Sequence, residues 1–216
     1  MNNATNNFLE NLKRREDVLG VIMFGSEARG NSRPGSDVDL VAILTEGFRR
    51  TVEYHEDQAF EIIYTTAKKA LAYWESHIDD AAGLWAVAKV LYDKDGTIGK
   101  LKNEIQQVLD KGKEPIDECQ LGQFRFDAED TLKYVGHIAD ADPTTANLIL
   151  TNKVFTLTEL FFDIRQMWIP APKQRMEKIK EISPGFYTLL TEFYGDKPLW
   201  QRLEIAKKIP PTVFDL

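Results

Sequence analysis

Residues 24–40 read FGSEARGNSRPGSDVDL. In this stretch the pair Gly25-Ser26 stands about a dozen residues ahead of two acids, Asp37 and Asp39, that are separated by a single residue. The run leading into it, VLGVIMFG at 18–25, is dense in β-branched and apolar side chains and closes on glycine, which predicts a buried strand ending at Gly25. Ser26 to Arg29 read as the first turn of a short helix with Ser26 as its cap. GNSRPGS, with two glycines and a proline, is a loop. DVDLVAIL then alternates acid and aliphatic residues before turning wholly apolar, as a central strand does when its first part borders a cleft.

Side chains two apart on a strand point the same way, so Asp37 and Asp39 project together while Val38 points oppositely into the core. Two carboxylates at such range repel each other unless something positive lies between them. Magnesium satisfies that need, because it takes a few carboxylate oxygens and fills its remaining positions with water and substrate phosphates. The upstream Gly-Ser supplies the complementary half. A strand that ends in glycine and opens into a helix lets backbone N–H groups face an anion, and glycine permits a close approach. Phosphate donors and metal-binding carboxylates in one site are what transfer of a nucleoside phosphate group requires.

The constellation resembles the signature of the DNA polymerase β-like nucleotidyltransferase superfamily. Gly25, Ser26, Ala28, Arg29, Gly30, Ser36, Asp37 and Asp39 match it in order and spacing. The resemblance implies an α/β domain with a mixed sheet, ATP or another nucleoside triphosphate as donor, and two Mg²⁺ ions held by Asp37 and Asp39. It also implies a third acid on a neighbouring strand, completing the metal site or taking the proton of an acceptor hydroxyl. Glu61, the only acid in QAFEIIYTT, is favoured for that place, since a carboxylate in a core-like strand is costly without a partner. Glu53, on the preceding hairpin strand, is the alternative. Gly25 and Ser26 are expected at the β- and γ-phosphates. Arg29 either contacts phosphate or tethers the loop to the acids, and Ser36 reads as a loop-to-strand hydrogen-bonding residue of the same nucleotide-binding segment.

Outward from this stretch, Phe8, Leu9 and Leu12 recur at helical spacing and predict a helix over 4–17. TVEYHE and QAFEIIYTT form a hairpin turning near Asp57. Helices follow around AKKALAYWESH and AAGLWAVAK, then a short strand at KVLYD and a helix at GKLKNEIQQVLDKG. Beyond Gly112 strand signals vanish. Helices are expected over 115–140, 144–168, 173–182, 184–194 and 198–208, with Ile169-Pro170-Ala171-Pro172 as a break. The fold class is therefore an α/β nucleotidyltransferase domain at 1–112 plus an all-α bundle at 113–216, with the active site expected in the cleft between them. The second part resembles, in architecture alone, the helical domain of antibiotic nucleotidyltransferases of the kanamycin, streptomycin and lincosamide type. Its aromatic series Trp168, Phe186, Tyr187, Phe193, Tyr194 and Trp200 reads as bundle core, and Lys153 as a solvated lysine or one that reaches the triphosphate.

Composition bounds the rest. Apolar residues make up 43% of the 216 and charged ones 28%, as in an ordinary folded globular protein. No apolar run approaches the roughly 20 residues that cross a bilayer, and the start MNNATNNFLENLKRRED has no apolar core behind its charges, so neither a membrane partner nor a secretory signal is expected. A single cysteine, Cys119, rules out an internal disulfide and suits a reducing cytoplasm. The three histidines lack zinc-ligand spacing. Net charge is −7, and Lys plus Arg stand against Asp plus Glu as 14 to 18 in residues 1–112 and 13 to 16 in 113–216. Without a basic platform, long nucleic acid is not an expected partner.

The expected function is metal-dependent transfer of a nucleoside monophosphate, AMP from ATP, to an acceptor hydroxyl with release of pyrophosphate. An acidic site suits a cationic small molecule such as an aminoglycoside as acceptor. The competing readings are a nucleotide-binding regulatory module without turnover and an antitoxin-like protein that transfers AMP to another protein. Oligomeric state stays open, a homodimer included.

Overall fold

The apolar runs VLGVIMF and VDLVAIL become the two central strands of a mixed sheet. Their alternating side chains supply two separate cores, one on each face. In the computed structural model, which describes residues 3–215, the element order is α1 (Asn3–Lys13), β1 (Val18–Phe24), α2 (Gly25–Arg29), β2 (Val38–Leu44), β3 (Arg49–His55) and β4 (Gln58–Thr66), then α3 (Ala67–Ser76), α4 (Ile78–Trp85), β5 (Lys89–Asp93) and α5 (Thr97–Lys111). The strands lie in the order β3-β4-β2-β1-β5. β2 and β4 run parallel, and the other three pairings are antiparallel.

One face carries Val21 and Met23 of β1, Val38, Leu40 and Ala42 of β2 and Phe60, Ile62 and Tyr64 of β4, packed against Phe8, Leu9 and Leu12 of α1. The other carries Ile22, Val41 and Ile43 under Ala70 and Trp74 of α3, Ala81 and Trp85 of α4, and Ile98, Leu101 and Ile105 of α5. Burial of each large side chain, Phe60 for example, contributes about 1.5–3 kcal/mol. Helix α1 ends at Lys13, short of the expected 17, because Arg15 turns to hydrogen-bond Asp17 and leads the chain into β1. The acids of Tyr92-Asp93-Lys94-Asp95 start α5: Asp93 accepts from the backbone N–H of Ile98 and Gly99, and Asp95 from that of Thr97.

The chain divides into two compact units, residues 1–111 and 112–216. The second, among its described residues, is helical throughout: α6 (Glu118–Ile138), α7 (Pro143–Ile164), α8 (Pro172–Ile182), α9 (Pro184–Phe193), α10 (Leu199–Ala206) and α11 (Ile209–Phe214). Asp117 and Asp142 cap α6 and α7 by accepting backbone N–H groups of Gln120 and Thr145. Its core gathers Leu150, Val154, Phe161, Phe162, Phe186, Leu190 and Phe193, all fully buried. The aromatic series is core only in part, since Phe186 and Phe193 are buried while Trp200 is 64% exposed and Tyr194 about half so. Lys153 is not a solvated lysine: its side chain is 14% exposed and ion-paired to Asp127. No helix among the described residues is long and apolar enough to cross a membrane.

Candidate active site

The register of the sheet assembles the acids. In the antiparallel β1–β2 ladder Phe24 pairs with Asp39, and in the parallel β2–β4 ladder Asp39 pairs with Glu61. Asp39 and Glu61 therefore sit side by side on adjacent strands, on the face that also carries Val41 and Ile43. Asp37 lies just before β2, in the loop. One carboxylate oxygen from each of Asp37, Asp39 and Glu61 comes within 4.8 Å of the others, a spacing that a divalent ion can bridge. Asp37 is exposed and the other two are half-buried. The group is thus partly open to water, as hard-cation chemistry needs.

Gly25 follows Phe24 directly and closes the other wall of the site. Its φ is +71°, in the left-handed region. A Cβ added there would lie 1.7 Å from Asp39 Oδ2. Glycine is therefore demanded twice, by backbone conformation and by the carboxylate against it. The expected cap is corrected: helix α2 begins at Gly25 with Phe24 in the N-cap position, and no side chain caps it, so Ser26 lies inside the first turn. Arg29 closes the same helix, which ends on Gly30 at φ 77°. Ser36 works within the loop, where its Oγ accepts from Arg33 N–H at 3.0 Å and its backbone carbonyl accepts from Gln58 Nε2 at 2.8 Å. That pair of bonds ties the approach to Asp37 onto the start of β4.

The two candidate third acids part company here. Glu61 pairs across the sheet with Val52, so both face the acid cluster, and Glu53, one residue on, faces the opposite side. There Glu53 is ion-paired to Arg49 and accepts a hydrogen bond from the Tyr64 hydroxyl at 3.1 Å. Burial, and then the charge of Glu53, push the Tyr64 phenol above its usual range.

One residue of the neighbourhood escapes sequence reasoning. Arg50 of β3 donates from Nε to Glu61 Oε1 at 2.9 Å, and its Nη2 meets the same oxygen. Hydrogen bonding to Glu61, and next its charge, raise the Arg50 guanidinium above its ordinary value. The only signal that could have found it is the hairpin register, which puts Arg50 diagonally across from Glu61 on the same face.

A mixed sheet whose central strands bring a glycine turn against clustered carboxylates defines the nucleotidyltransferase class of fold. The chain belongs to that family: residues 5–113 match the nucleotidyltransferase domain. Over 69 residues it is 36% identical to a Methanocaldococcus jannaschii protein named "Putative protein adenylyltransferase MJ1305", a match covering 30% of this chain and 47% of that one. The chain thus spans about half the length of that relative. Among solved structures it superposes on a nucleotidyltransferase-like protein from Exiguobacterium sibiricum with a TM-score of 0.52 at 12% identity, over 98% of this chain and 73% of the other. A spectinomycin adenyltransferase from Enterococcus faecialis, solved with ATP and spectinomycin, aligns over 98% of both chains at 12% identity. Its TM-score is 0.37, a superposition too loose to transfer any property to this chain.

Proposed function

We propose that the protein transfers AMP from ATP to an acceptor hydroxyl with the help of Mg²⁺. The observation that carries this reading is the convergence of Asp37, Asp39 and Glu61 beside a glycine whose left-handed backbone and contact with Asp39 disfavour any side chain. The residues fit the ion: three oxygen donors, partly open to water, at a spacing that invites a divalent cation. Asp37, Asp39 and Glu61 would hold it, and two such ions, when bound, neutralise phosphate charge around an in-line displacement. Gly25 and Ser26 offer backbone N–H groups to the triphosphate, and Arg29 adds a positive charge at the end of the same short helix. The acceptor oxygen forms a bond to the α-phosphorus while the bond from that phosphorus to the pyrophosphate oxygen breaks. Pyrophosphate leaves with that electron pair. The acceptor hydroxyl gives up its proton to Glu61 or, where Glu61 holds the metal, to water.

For the acceptor, a small cationic molecule suits the acid cluster, and a protein hydroxyl is the second reading, supported by the name of the Methanocaldococcus jannaschii relative. A panel of small-molecule and protein acceptors, incubated with ATP with and without Mg²⁺ and read by pyrophosphate release and product mass, tests the proposal. An added mass of one AMP on an acceptor, dependent on Mg²⁺, is the expected result. ATP binding without turnover on any acceptor would instead mark a regulatory module.

A further inference from the structure

Three carboxylates drawn within 4.8 Å of one another need positive charge nearby. Part of it comes from within the protein. Arg50 stands outside the Gly-Ser and Asp-x-Asp elements, on edge strand β3, yet its Nε and Nη2 converge on Glu61 Oε1. The contact belongs to a residue with little else to hold it: the Arg50 side chain is 66% exposed. Arg49 next to it is directed to Glu53 on the opposite face and leaves the cluster alone.

We propose that Arg50 is an intramolecular counter-cation that competes with free divalent ions for the acid cluster, and so makes metal loading depend on the triphosphate. The inference rests on the metal site proposed above. A bare metal ion must enter beside a guanidinium already seated on one of its ligands, and the two cations repel. A metal ion accompanied by a triphosphate brings negative charge that offsets this repulsion, and arginine is well suited to neighbour phosphate once it leaves the carboxylate. Nucleotide and metal then promote each other's binding by one common factor, whichever is varied. Arg50 is in this sense a positioning residue, acting on the reaction through what it does to Glu61 and its metal.

The test measures binding of Mn²⁺ by electron paramagnetic resonance, to the full chain alone and with a non-hydrolysable ATP analogue. In the wild-type protein the analogue should tighten Mn²⁺ binding. Arg50→Met should bind Mn²⁺ alone about tenfold more tightly, the order expected of removing one unit charge a few ångströms from a divalent ion. The tightening by the analogue should shrink by the same factor. Arg50→Lys, which keeps the charge, should behave largely as wild type, and Arg49→Met should leave Mn²⁺ binding unchanged. Arg50→Gln replaces Arg50→Met should the latter not stay folded. Unchanged or weaker Mn²⁺ binding in the charge-removing variant overturns the proposal, as does equal tightening in Arg49→Met, which would reveal a bulk charge effect. A wild-type protein that binds no Mn²⁺ even with the analogue would sink the metal site itself, an outcome distinct from the failure of Arg50 alone.

Discussion

Two arginine–glutamate pairs sit on one hairpin and look alike in sequence. Arg49 holds Glu53 along a single strand, while Arg50 holds Glu61 across two. Because strand side chains alternate, the first pair lies on the α1 side with Tyr64, and the second lies beside Asp39 on the side covered by α3–α5. The same chemistry is thus structural on one face and part of a candidate site on the other. Charge pairing alone does not distinguish a site; register does.

Five substitutions sharpen or break this contrast. The largest effect is expected from Asp39→Asn, which should reduce Mg²⁺-dependent pyrophosphate release about a thousandfold; undiminished release would remove the acid cluster from the chemistry. Gly25→Ala comes next. It should lower stability by about 1–3 kcal/mol in denaturant titration through its left-handed backbone. It should also cut turnover on the order of a hundredfold by displacing Asp39. Glu61→Gln should slow turnover by roughly a hundredfold in steady-state assays, whereas Glu53→Gln should change it less than about twofold. Equal losses in the two variants would erase the distinction between the faces. Tyr64→Phe removes the hydroxyl that donates to Glu53 and should cost about 1 kcal/mol of stability, read in denaturant titration, with no change in metal dependence.

Much of the fold was legible because its signals are local. The apolar alternation of β1 and β2, the hairpin turn and the loss of strand patterning after Gly112 all appear within short windows. The spacing from Gly25 to Asp39 likewise sits in one continuous segment. What stayed hidden depends on long-range placement. Arg50 reaches Glu61 only through the β3–β4 register, which no local pattern specifies. Ser26 reads as a cap, but the helix starts at Gly25 with Phe24 in the N-cap position, two residues before the expected cap. Helix α11 lies beyond the last expected helix and carries Pro210-Pro211 in its first turn, where proline's missing N–H has no partner to lose. The exposure of Trp200 and the burial of Lys153 have a related cause: exposure is set by which helix faces which, and residue type does not report that.

The parallel ladder between β2 and β4 runs without a break from Val38–Phe60 to Leu44–Thr66. It, and not the connection between the strands, holds Asp39 level with Glu61. The intervening turn at Glu56-Asp57 is therefore a place where residues could be inserted, or a foreign loop grafted, without moving the carboxylates. Variation at that turn leaves the acid spacing intact.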